Sequence, residues 1–123
     1  SAVYLGGFVA YATSMKSRLL GIDADLLGDV SVVSEDCARL MAVAASERTG
    51  ADWTIAVTGV AGPDGQDGHE PGEVWVAVAG PVIGPHAQAV YAEGYQFEGD
   101  RDAVRKATVD AAFEMLLRVL APG

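Results

Sequence analysis

Two apolar runs constrain this chain most: WTIAV at 53–57 and VWVAVAG at 74–80. Neither alternates cleanly with polar residues, so both read as central strands covered on two faces. A strand of that kind needs a layer of structure above and below it. The rest of the sequence supplies candidates. Ser34 precedes EDCARLMAVAASERTG, with Glu35 and Asp36 where a helix dipole favours acid and Gly50 closing the end. Ala38, Met41, Ala42 and Ala45 recur at helical spacing, and side chains this small let a helix lie close to a sheet. A last helix runs from Asp100, its cap, to about Leu120, with Val104, Ala107, Ala111, Met115 and Val119 near one side.

The remaining segments fit around these. Val3 to Ala12 reads as a strand or bulged strand, interrupted at Gly6-Gly7. A short helix follows, SMKSRLLG, with Ser14 as cap and Gly21 as stop. Asp25 to Leu27 has the makings of a helical turn, and His86 to Phe97 of a strand nearer an edge. Strands interleaved with helices in 123 residues make one three-layer α/β domain.

Charge and cysteine content narrow the function. Eight basic against seventeen acidic residues give a net charge of −9, which opposes a broad nucleic-acid or acidic-membrane surface. The lone Cys37 allows no internal disulfide, and no apolar run nears the roughly 20 residues of a membrane span. A cytoplasmic protein is expected.

The chemistry concentrates between the two apolar runs, in TGVAGPDGQDGHEPGE. Loops this long inside a compact domain are often functional. Gly59, Gly62 and Gly65 permit close approach of a ligand, and successive N–H groups could form an anion nest. A plain crossover loop is the alternative. Asp64, Asp67, His69 and Glu70 do not match the spacing of a calcium loop, so a solvated acidic loop is expected there rather than a metal site.

Lys16 sits at the start of a helix, where the dipole disfavours a cation; that and any burial favour the neutral amine, the form able to act as a general base. Tyr11 could place a phenol beside it. An ordinary exposed lysine is the other reading. Arg101 and Arg105 lie in the first turns of the last helix and could hold a phosphate, or could pair with Glu98, Asp100 or Asp102. Neither His69 nor His86 stands at a telling distance from a partner, and no Ser-His-Asp triad can be assembled from spacing.

Four segments in fixed order, GGFVAYATSMKSRLLGI, VSEDCARLMA, TGVAGPDG followed by EPGEVWVAV, and GDRDAVRKAT, resemble the CinA C-terminal domain family of nicotinamide mononucleotide deamidases. The resemblance spans nearly the whole chain, 1–123, and implies a three-layer α/β/α domain with a mixed, mainly parallel sheet. It implies hydrolysis of the carboxamide of nicotinamide mononucleotide to nicotinate mononucleotide and ammonia by Ser/Lys chemistry, without a cofactor. On that reading Lys16 is the base, and Tyr11 and Thr58 orient it or polarise the reacting groups. The loop Gly59, Val60, Ala61, Gly62, Pro63 and Gly65, with Arg101, holds the nucleotide.

Two departures stand out. The family's opening helix, strand and ESCTGG motif, which carries the expected nucleophile, is not among these residues, and EPGEVW replaces the usual PVG triplet. Ser1 could stand in for the missing serine, although a terminal residue is usually mobile. The chain as written is therefore expected to have little deamidase activity, and to self-associate through the sheet edge and face that the missing segment would cover. The alternative function is a non-catalytic module that binds a nucleotide or, in keeping with competence and DNA damage, a protein.

Overall fold

The computed structural model describes residues 3–65, 68–85 and 87–121. Ser1, Asp67 and His86, considered above, lie outside them. The elements run α1 (Thr13–Leu20), α2 (Ala24–Asp29), α3 (Glu35–Thr49), β1 (Thr54–Gly59), β2 (Glu73–Ile83), β3 (Ala87–Gln96) and α4 (Arg101–Leu120).

The described strands form one sheet in the order β1-β2-β3, and every pairing is antiparallel. Thr54 faces Ala79 and Gly59 faces Val74 in the first pair, and Glu73 faces Gln96 in the second. This corrects the mixed, mainly parallel sheet that the resemblance implied. A parallel pair needs a crossover, usually a helix, between its strands. Here the helices stand before β1 and after β3, and the loop 60–72 doubles back instead. Its two ends are clamped: Val60 N–H donates to Glu73 O at 2.9 Å, and Gly72 N–H to Val60 O at 2.6 Å. Among the described strands β1 is in consequence at an edge and β2 alone is central.

The two-faced burial inferred for both runs holds for β2 but not for β1, where Val57 is exposed on the side away from Ala56. On β2, Val74, Val76 and Val78 point to one face and pack with Val104, Ala112 and Met115 of α4. Ala77 and Ala79 point to the other, against Ala38 and Ala42 of α3 and Ala56 of β1. Helices thus cover both faces. Val76 and Val78 are fully buried, each contributing about 1.5–3 kcal/mol. The alanine-on-alanine contact is what the small-residue stripe on α3 predicted. α1 and α2 join on the outer side of α3 through Leu20, Ile22, Leu27, Cys37 and Ala44.

Helix ends follow local chemistry closely. Ser34 Oγ accepts from Cys37 N–H at the start of α3, and Asp100 accepts from Ala103 N–H at the start of α4. Gly21 and Gly50 stop α1 and α3 in the left-handed conformation. Ser14, expected as a cap, lies within α1, whose N-cap is Ala12 with no side-chain bond. Residues 3–12, read as a strand, form neither strand nor helix. Among the described residues no strand lies beside them to complete a ladder, so Val3, Val9 and Tyr11 stay exposed.

Gly28 sits inside α2, and nothing lies within 4 Å of where a Cβ would be. Gly28→Ala should therefore stabilise the protein by about 0.5–1 kcal/mol, through the smaller loss of backbone freedom on folding. A higher urea midpoint at unchanged slope would show it.

Candidate functional site

Lys16, in the first half of α1, is only 7% exposed. Its side-chain nitrogen donates to the carbonyl of Ala10 at 3.0 Å, which ties the N-terminal segment to α1. Among the described residues no carboxylate forms an ion pair with it. Cys37, in the first turn of α3, lies within its electrostatic reach; burial pushes this thiol up, against the opposing pull of Lys16. Cys37 is thus a protonated core side chain, 3.8 Å from Met41 Sδ. Tyr11 is not brought to the amine. It is 84% exposed, so the phenol expected beside Lys16 lies in solvent.

Thr58 closes the other side of α3. It is buried near the end of β1, and its hydroxyl donates to the carbonyl of Val32, just before the helix. The hydroxyl read as polarising a substrate is therefore engaged in joining β1 to the 31–34 segment. Gly59, next along, is required by packing: a Cβ there would meet Glu73 O at 2.7 Å.

The glycine loop is partly a cradle and partly a clamp. Val60 is buried and its amide is consumed by Glu73, so of the loop residues expected to hold a ligand this one has no amide to offer. Ala61, Gly62, Asp64 and Gly65 have amides that donate to no described residue. Arg101 is where the loop needs it. Its guanidinium reaches the carbonyl of Gly62 at 3.3 Å, rather than pairing with Asp100 or Asp102. A groove of about 650 Å³ opens beside Gly59 and Ala61, between β1 and α4, lined by Val57, Val104, Val109 and Phe113 among others.

Spacing concealed one constellation. His69 Nε2 lies 2.8 Å from Ser31 Oγ, and His69 Nδ1 lies 2.8 Å from Glu73 Oε1. Glu73 Oε2 accepts from the Trp75 indole at 3.0 Å. Spacing alone offers His69 no telling partner: Glu73 is four residues on, but Ser31 is 38 residues away and meets it only when the loop folds back. Asp64 and Glu70 are exposed, and no described group of His, Cys, Asp and Glu is arranged to hold a metal ion.

The model for the CinA C-terminal domain matches residues 1–120. The chain belongs to the CinA C-terminal domain family. It is 40% identical over 120 residues to a nicotinamide-nucleotide amidohydrolase PncC of Pseudomonas putida, covering 97% of this chain and 71% of that protein. It is 41% identical to a CinA-like protein of Prochlorococcus marinus, covering 100% of this chain but only 28% of the relative. Among solved structures it is similar to the competence/damage inducible protein CihA of Agrobacterium tumefaciens, with a TM-score of 0.82 and 32% identity, over 94% of this chain and 68% of that one. A CinA superfamily protein of Klebsiella pneumoniae gives a TM-score of 0.79 at 33% identity, over 88% and 64%. No helix among the described residues is long and apolar enough to cross a membrane.

Proposed function

We propose that this CinA domain belongs to an amidohydrolase acting on nicotinamide mononucleotide, releasing ammonia and nicotinate mononucleotide. The observation that carries the reading is Lys16. A lysine 7% exposed, with no carboxylate paired to it among the described residues, costs stability, and a purely structural role would be served better by an apolar side chain. A buried amine is instead suited to taking a proton from a hydroxyl nucleophile. The similarity to PncC supplies the substrate class. Arg101 and the open amides of Ala61, Gly62, Asp64 and Gly65 would hold the phosphate, and the Ala10 carbonyl keeps the lysine nitrogen in place.

The family's serine motif is not among these 123 residues. The test is therefore ammonia release from nicotinamide mononucleotide by two proteins: the chain itself, and the chain with a helix–strand segment bearing ESCTGG fused ahead of Ser1. Release by the fusion well above the chain alone supports the reading. Nucleotide binding without ammonia from either protein would make this a binding module.

Arg101→Ala should weaken nucleotide binding about tenfold, as expected for loss of one charge-assisted hydrogen bond. Titration calorimetry on the chain itself measures this directly. An unchanged Kd would remove Arg101 from the site.

A further inference from the structure

We propose that Ser31, His69 and Glu73 form a separate hydrolytic centre in which Ser31 is an activated nucleophile toward small, uncharged acyl esters.

The directions of the hydrogen bonds carry this. The Trp75 indole and then His69 hold the Glu73 carboxyl below the usual carboxylate range, so at neutral pH it is ionised and can only accept. The ring nitrogen facing it, Nδ1, must therefore carry a hydrogen. In the neutral ring Nε2 then presents its lone pair, and the Ser31 hydroxyl 2.8 Å away donates to it. This is the arrangement of an activated serine: hydroxyl to imidazole, imidazole to carboxylate, each at hydrogen-bond distance.

The surroundings keep the three groups in register. Ser34 Oγ donates to the Ser31 carbonyl at 2.6 Å, and Val33 N–H donates to Ser31 Oγ at 3.2 Å. Thr58 holds the intervening Val32 from below. Glu73 is fixed by its place at the start of β2, opposite Gln96. Ser31 itself is exposed, so a substrate reaches it from solvent. Asp29, Glu35, Asp36 and Glu70, all within five positions of Ser31 or His69 in sequence, disfavour an anionic substrate.

In the reaction Ser31 Oγ bonds to the acyl carbon while its proton passes to His69 Nε2. The bond from carbon to the ester oxygen breaks, and that oxygen leaves as the alcohol with the same proton. Water, deprotonated by His69, then releases the acid and restores Ser31. None of these steps uses Lys16 or the nucleotide site, so failure here leaves the proposed deamidase untouched, and the reverse.

A fluorophosphonate probe tests it, since it needs only the first step: Oγ bonds to phosphorus and fluoride leaves. Intact-protein and peptide mass spectrometry should find one adduct, on Ser31. The adduct should be absent in Ser31→Ala and should form at least tenfold more slowly in His69→Gln, whose amide cannot take the proton. The His69→Gln protein is accepted for the comparison when its melting temperature matches the parent; if it does not, His69→Asn is used on the same terms. No adduct on Ser31 in the parent protein, or labelling at the parent rate in a folded His69 variant, overturns the proposal.

Discussion

Lys16→Met is expected to abolish ammonia release from the ESCTGG-bearing fusion, by about a thousandfold or more, without lowering its stability. The two halves of that expectation have different origins. General-base catalysis by a positioned side chain contributes about 10²–10⁴ in rate, and methionine cannot accept a proton. Its unbranched side chain nonetheless fills much the same space, and it removes the polar nitrogen of a residue that is 7% exposed, bonded only to the Ala10 carbonyl among the described contacts. Burying a polar nitrogen in a largely apolar setting costs stability, and an apolar side chain of similar volume avoids that cost. Lys16→Arg should be just as inactive, because a guanidinium stays protonated in proteins. Ammonia release and melting temperature, measured on the same preparations, separate a chemical role from a structural one. Parent-level release by Lys16→Met would remove this residue as the base.

What could be read from the residues alone divides along a physical line. Local chemistry was legible: the Ser34 and Asp100 caps, the stops at Gly21 and Gly50, and the alanine face of α3 all depend on neighbours a few positions away. Burial on two faces was legible in 74–80 for the same reason, since an unbroken apolar run has no solvent side. Strand direction was not. An apolar run reports how deeply it is buried but not which way its neighbour points, and that is decided here by the clamp between Val60, Gly72 and Glu73. The aromatic and aliphatic residues of 3–12 looked like a strand, yet a strand needs a partner, and composition cannot supply one. At the site, Lys16 and Arg101 were singled out by type and position, and Thr58 by the family resemblance. Their contacts refined the reading: Thr58 bonds Val32, Arg101 reaches Gly62, and Tyr11 stays in solvent. Ser31 and His69 were missed because nothing local links them.

Gly72→Ala should cost about 3–5 kcal/mol of stability, far more than alanine at a typical loop glycine. Three effects converge at this position. Its φ of 95° lies in the region that only glycine enters freely, a strain of about 1–2 kcal/mol for alanine. An added Cβ would stand 2.1 Å from the carbonyl oxygen of Phe97, which is backbone and cannot rotate away as a flexible side chain would. Phe97 is also held to the same residue, its N–H donating to Gly72 O at 2.9 Å, while Gly72 N–H donates to Val60 O at 2.6 Å. Relieving the clash must therefore loosen the end of β3 or the root of the glycine loop, and either loses hydrogen bonds. Gly84→Ala is the control: its φ is 73°, but nothing lies within 4 Å of its Cβ, so strain alone remains and the cost should stay near 1–2 kcal/mol. Urea unfolding of both variants isolates the contribution of the clash. Because the loop that Gly72 anchors also carries Gly62 and its contact with Arg101, Gly72→Ala should also weaken nucleotide binding at temperatures where the protein is still folded. Equal stability losses in the two variants would mean that the loop root yields easily and that its amides are not rigidly placed for a phosphate.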